Sequence, residues 1–258
     1  MTVTRGQGVV TILPAGSSPA FLAQPARRPR FADYWLAQTN AYMGLEDYAR
    51  AARNLEIVRS LHAADFHALF LLGSLYSKLG VHGPAGDAYL QAAAVADDSE
   101  IEFLTKATKL LLSNGQHDAA RKLFARIDPS QPGLSEDARF DYHVLAGDFA
   151  KMENDPQQAI AAYEKAEQLD PSRGEPLIKL ARVYDEIGNR DKAYLLLDRA
   201  ESDPDFEYVA LVTRVKFLID EKRFSESQVY VGRALKLRSD ETTRVLYEQI
   251  EEAAKTNS

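Results

Sequence analysis

Apolar residues return at helical spacing from Phe31 almost to the C-terminus, and the clearest instance is Pro156–Pro171. Ala159, Tyr163 and Ala166 stand at i, i+4 and i+7, one helix face with a small–large–small profile. Two alanines admit a neighbouring helix closely and the tyrosine ring fills the gap between them. Asp155 before Pro156 predicts the helix start, because a cap carboxylate accepts from free N–H groups and proline lacks one. Asp170-Pro171 predicts its end. The face recurs 34 residues later as Ala193, Leu197 and Ala200, and again as Ser227, Val231 and Ala234. A face recurring at a fixed period predicts a repeat array.

The small residue that opens each second helix sets the register: Ala51, Ala85, Ala120, Ala159, Ala193 and Ser227. Four residues after each mark come the large plugs Leu55, Tyr89, Phe124, Tyr163, Leu197 and Val231. Upstream, Trp35, Leu69, Leu104, His143, Leu177 and Leu211 form one first-helix column, and Thr39, Gly73, Thr108, Gly147, Ala181 and Val215 mark close approach. Six helix pairs follow, at about 32–65, 66–99, 101–134, 140–173, 174–207 and 208–241. Glu241–Lys255 predicts one more helix, whose Val245, Leu246, Ile250 and Ala253 cover the last pair, with a tail to 258.

Turn chemistry agrees with this register. Gly80, Gly115 and Gly188 suit the left-handed residue that ends a helix, and Asn154 replaces glycine there. Ser99-x-x-Glu102 and Ser172-x-x-Glu175 read as capping boxes at two first-helix starts. The 39-residue step from Ala120 to Ala159 puts five extra residues into Asp128–Asp137. Residues 1–30, with prolines at 14, 19, 25 and 29, read as an extended arm in which Val9–Leu13 is β-prone.

These residues resemble the tetratricopeptide repeat family, whose unit is a 34-residue helix–turn–helix. Gly147, Ala159, Tyr163, Ala166 and Pro171 match its pattern, as do Leu72, Gly73, Tyr76, Gly80, Ala85, Tyr89 and Ala92. The resemblance implies an all-α, right-handed superhelical solenoid of about six repeats over 31–240 plus a capping helix. It also implies that first helices line a concave groove where a protein segment binds.

Composition narrows the chemistry. A net charge of −7 argues against nucleic acid as a partner, and the absence of cysteine removes thiolate catalysis and thiolate metal sites. No apolar run is long enough to span a membrane. His62 and His67 are five apart and miss the i, i+4 geometry for a shared metal on a helix, and His143 sits in a core column. No nucleophile elbow, phosphate loop or dinucleotide fingerprint occurs. Gly80–Pro84 lacks the Lys-Ser/Thr ending of a phosphate loop and reads as an interhelical turn. No catalytic residue, metal or cofactor is expected, and the chain reads as a non-enzyme.

Binding residues are expected on the first-helix faces turned away from the packed columns. Reading those faces gives Asn40, Lys78, Lys106, Lys109, Lys151, Lys179, Arg182 and Lys216, a broken basic line in an acidic protein. Such a line suits an acidic or C-terminal carboxylate segment in extended form, whose identity the sequence does not give. The alternative is a structural, assembly or export subunit that self-associates or docks on a membrane-associated complex through the arm or end helix. The N-terminus does not read as a signal peptide, which favours the cytoplasm, whereas a trimmed chain would fit the periplasm.

Overall fold

The structure is a computed structural model that describes residues 3–6, 9–12, 32–131 and 133–256. The backbone divides into two compact units, Met1–Leu134 and Ser135–Ser258. The division falls in the lengthened loop.

In the first unit, α1 (Ala32–Gly44) pairs with α2 (Tyr48–Ser60), α3 (Phe66–Lys78) with α4 (His82–Val95), and α5 (Ile101–Ser113) with α6 (His117–Phe124). In the second, α7 (Glu136–Met152) pairs with α8 (Pro156–Leu169), α9 (Gly174–Glu186) with α10 (Arg190–Ala200), and α11 (Glu207–Asp220) with α12 (Phe224–Leu237). A last helix, α13 (Glu241–Thr256), packs on α12. The fold class is a helical repeat solenoid. Among the described residues the other regular element is an antiparallel hairpin of β1 (Val3–Gly6) and β2 (Val9–Ile12), pairing Val3 with Ile12 and Gly6 with Val9. Leu13 and the rest of the expected arm lie outside the described residues.

Small residues and plugs build each pair's core. Ala159, Tyr163 and Ala166 are fully buried, as are Ala193, Leu197, Ala200, Ser227, Val231 and Ala234. A methyl group added at Gly147 would stand 2.3 Å from the Tyr163 ring, and one at Gly73 would stand 2.7 Å from the Tyr89 ring. Glycine at those positions is what lets the rings in. In the third pair the plug is weaker. Helix α6 stops at Phe124, only half-buried, because the chain turns toward Asp128-Pro129, and Leu123 and Ile127 carry the burial instead.

The turn between paired helices uses one left-handed residue throughout. Gly80, Gly115, Asn154 and Gly188 occupy it, with φ of 71°, 73°, 61° and 81°. Glu46 and Lys222 hold the same position in the first and sixth pairs at φ of 57° and 59°, with no composition cue to announce them. Side chains with a Cβ are strained there by roughly 1–2 kcal/mol.

The capping boxes do not form. Ser99 and Ser172 instead donate to Asp97 and Asp170, each at 2.6 Å, and the residues that precede α5 and α9, Glu100 and Arg173, make no side-chain cap bond. An aspartate two residues upstream reaches the serine hydroxyl and N–H first, and so takes the serine away from the helix end. Asp128 and Ser130 repeat the motif. Caps form where Asp47, Asp65, Ser135, Asp155 and Asn189 accept from the N–H three residues on. On α13, Ile250 is buried and Leu246 packs beside it, whereas Val245, expected to cover the last pair, is exposed because it lies off that face.

Candidate interaction surface on the first helices

In the second unit the first-helix face is built from α7, α9 and α11. Asp148 of α7 accepts from the Tyr163 hydroxyl at 2.7 Å and from Lys179 Nζ at 2.7 and 2.9 Å. Glu175 stands 3.8 Å from the same ammonium. Lys151 pairs with Glu186 of the next first helix at 2.7 Å. Lys151 and Lys179 are therefore neutralised by carboxylates of the fold itself. Burial, and then Asp148, push the Tyr163 hydroxyl far above its usual range, so it stays a donor.

Arg182 and Lys216 differ. They occupy one column on α9 and α11, are exposed, and meet no carboxylate among the described residues. The Arg182 guanidinium donates to the Thr213 hydroxyl at 3.1 Å, and Thr213 in turn donates to the Val209 carbonyl. A buried hydroxyl thus positions one exposed cation. Leu145 and Thr213, which the register places beside this column, are buried and present no surface.

The first unit has a different face. Phe66, Phe70 and Phe103 are in ring contact, with centroids 5.6–6.0 Å apart, and Phe70 also meets the Tyr89 ring at 5.2 Å. Phe70, Leu71 and Phe103 remain half-exposed. Lys78 sits over the Tyr48 ring at 3.9 Å, and Lys106 lies over Phe103 at 5.5 Å and 4.0 Å from Glu102. Asn40 and Lys109 are exposed. The eight residues expected to form one basic line are thus divided between an aromatic face and an ionic one on which two of the four cations are paired by the fold.

His143 is half-buried, and burial followed by the Lys165 charge holds its imidazole below the ordinary histidine range. Among the described residues there is no cluster of histidine, aspartate and glutamate able to hold a metal, and no helix long and apolar enough to cross a membrane.

Sequence reasoning missed one charged centre. Arg214 of α11 is 7% exposed at its side chain and pairs with Glu201 at 3.0 Å and with Asp198. Its guanidinium also lies against the Tyr194 and Tyr230 rings. Nothing local marks it, since its partners lie 13 and 16 residues upstream.

Family comparison matches tetratricopeptide repeat models to residues 36–101 and 150–215, together about half the chain. The chain is a tetratricopeptide repeat protein. No match to curated proteins was found at the sequence level. Among solved structures, Pseudomonas aeruginosa pilF is similar at 14% identity and a TM-score of 0.60, covering 86% of this chain and 96% of that one. YrrB, described as a TPR protein with an unusual peptide-binding site, is similar at 17% identity and 0.56, covering 72% and 92%. The C-terminal part of a repeat protein from Cytophaga hutchinsonii gives 14% and 0.58, covering 87% and 90%. These likenesses are of fold. Tetratricopeptide repeat proteins are in general non-catalytic adaptors, and the fold of this one implies protein partners.

Proposed function

We propose that this tetratricopeptide repeat protein is a non-enzymatic scaffold whose first helices hold an acidic protein segment in extended form. The observation that carries the reading is the Arg182–Lys216 column, two exposed cations left over where neighbouring lysines are consumed by the fold. A guanidinium already positioned by Thr213 loses less freedom on meeting a carboxylate, and charge-assisted bonds of this kind are roughly twice as strong as neutral ones. Charge reversal at Arg182 and Lys216, with Lys109 added in a second variant, tests it by pull-down from the native organism. The expected result is loss of the captured protein with an unchanged melting temperature. Undiminished capture by the folded variant would sink the acidic-segment reading.

A second reading, self-association or docking through the N-terminal arm, draws on the hairpin. A two-stranded sheet is marginal alone and leaves two strand edges to pair. Deleting residues 1–30 and weighing the protein by sedimentation tests it, and an unchanged mass would count against it.

A further inference from the structure

On the opposite side, the second helices of the Ser135–Ser258 unit are tied together across the furrows between them. Glu164 meets Lys192 at 3.6 Å and Glu167 meets Arg199 at 2.6 Å, both from α8 to α10. The second tie returns one repeat later, from the residue that caps α10 to α12, as Glu201–Arg233 at 2.9 Å. The acid stands eight residues after the register mark of one helix and the cation six after the mark of the next.

One equivalent furrow in the Met1–Leu134 unit lies between α2 and α4. There the same two positions are Arg59 and Gln91. The acid is replaced by a cation and the cation by an amide, and no ion pair between described residues crosses the furrow. Among the described residues, the one carboxylate that Arg59 meets is Glu56 of its own helix, at 2.6 Å. The furrow holds a cleft of about 340 Å³, lined by Arg59, His62 and Gln91 on the polar side and by Ala64, Leu69 and Val95 on the apolar side, as the tied furrow between α8 and α10 holds one of about 400 Å³. Val95 is 55% exposed.

A guanidinium carries five donors in a planar fork, and one bond to Glu56 leaves capacity for a second carboxylate. The Gln91 amide can donate to the same group. The apolar wall gives an adjoining side chain something to cover. We propose that this furrow is a docking site, separate from the first-helix surface, for a partner segment carrying a carboxylate beside an apolar side chain. The partner carboxylate serves Arg59 as Glu167 serves Arg199, so the segment completes between α2 and α4 the tie that the second unit makes within its own chain.

Phenylacetate, a carboxylate joined to an apolar ring, is the probe. Titrated into the isotopically labelled full chain, it should give saturable shifts at Gln91, Ala94 and Val95, with a dissociation constant on the order of millimolar. Arg59→Gln should weaken binding at least fivefold, and benzyl alcohol, with the ring but no charge, should bind at least fivefold more weakly. Gln91→Glu should supply the missing tie from within, raising the melting temperature while abolishing the shifts. Absence of saturable shifts at the furrow, undiminished binding to folded Arg59→Gln, or equal binding of benzyl alcohol would each overturn the proposal. Arg182 and Lys216 are untouched in all these variants, so failure here leaves the first-helix reading standing.

Discussion

The two units follow one register and hold their repeats together by different chemistry. In Met1–Leu134, neighbouring first helices meet through rings, with Phe66 and Phe70 of α3 against Phe103 of α5. In Ser135–Ser258 the corresponding helices meet through charges, with Asp148 on Lys179 and Lys151 on Glu186. Ring contacts are indifferent to salt and leave apolar edges on show. Ion pairs are screened by salt and leave little charge free. The lesson is that the helix-pair pattern prescribes the approach of helices within a repeat and leaves adhesion between repeats open.

The sharpest way to break the second unit is at its buried cation. Arg214→Ala should remove one of the two arginines that pair with Glu201, itself 13% exposed at its side chain, and cost about 3 kcal/mol in urea denaturation. Somewhat smaller, and present in both units, is the glycine effect. Gly147→Ala and Gly73→Ala each drive a methyl group into a tyrosine ring and should cost about 1–3 kcal/mol by the same measurement. If Gly73→Ala proved neutral, the shared packing rule would fail in the first unit.

Relief of strain comes next. Glu46→Gly in one unit and Lys222→Gly in the other should each stabilise by about 0.5–1 kcal/mol, read as a rise in melting temperature. A double-mutant cycle on Glu167 and Arg199 should return a coupling of about 0.5 kcal/mol that shrinks in molar salt. A coupling unmoved by salt would remove the ionic half of the comparison.

The gentlest probe is acid. Serine hydroxyls and N–H groups hold Asp97, Asp128 and Asp170 below the usual carboxylate range. A lowered folded value means that the stabilisation is complete above the unfolded value, near pH 4, and is lost as the pH falls through the folded one. Stability should therefore decline below about pH 4, and less steeply after Ser99→Ala, Ser130→Ala and Ser172→Ala together. An identical acid limb in the triple variant would show these turns to be energetically silent.

Much of the fold was legible because its determinants are local. Gly80, Gly115, Asn154 and Gly188 mark their turns by residue type, and Ala159, Tyr163 and Ala166 mark a face by spacing. Glu46 and Lys222 were illegible by type, since only the register reveals that they stand where glycine stands elsewhere. The serines were misread because a helix cap and an aspartate turn compete for one hydroxyl, and sequence shows the competitors without the winner. Lys179 and Arg182 look alike in the chain. Whether each is consumed or left over depends on Asp148 and Thr213, each 31 residues away on a neighbouring helix.

The Glu–Arg ties of the second helices give the array a direction. The pair 174–207 carries its cation, Arg199, toward the preceding repeat and its anion, Glu201, toward the following one. It is in effect a polar monomer with a head and a tail that fit each other. A second copy spliced in behind the first would meet Glu201 with its own arginine and leave no charge stranded at the seam. The 66–99 pair, with Gln91 and Ala93 at those positions, has no such ends. Lengthening this protein is therefore a graft with one permitted orientation.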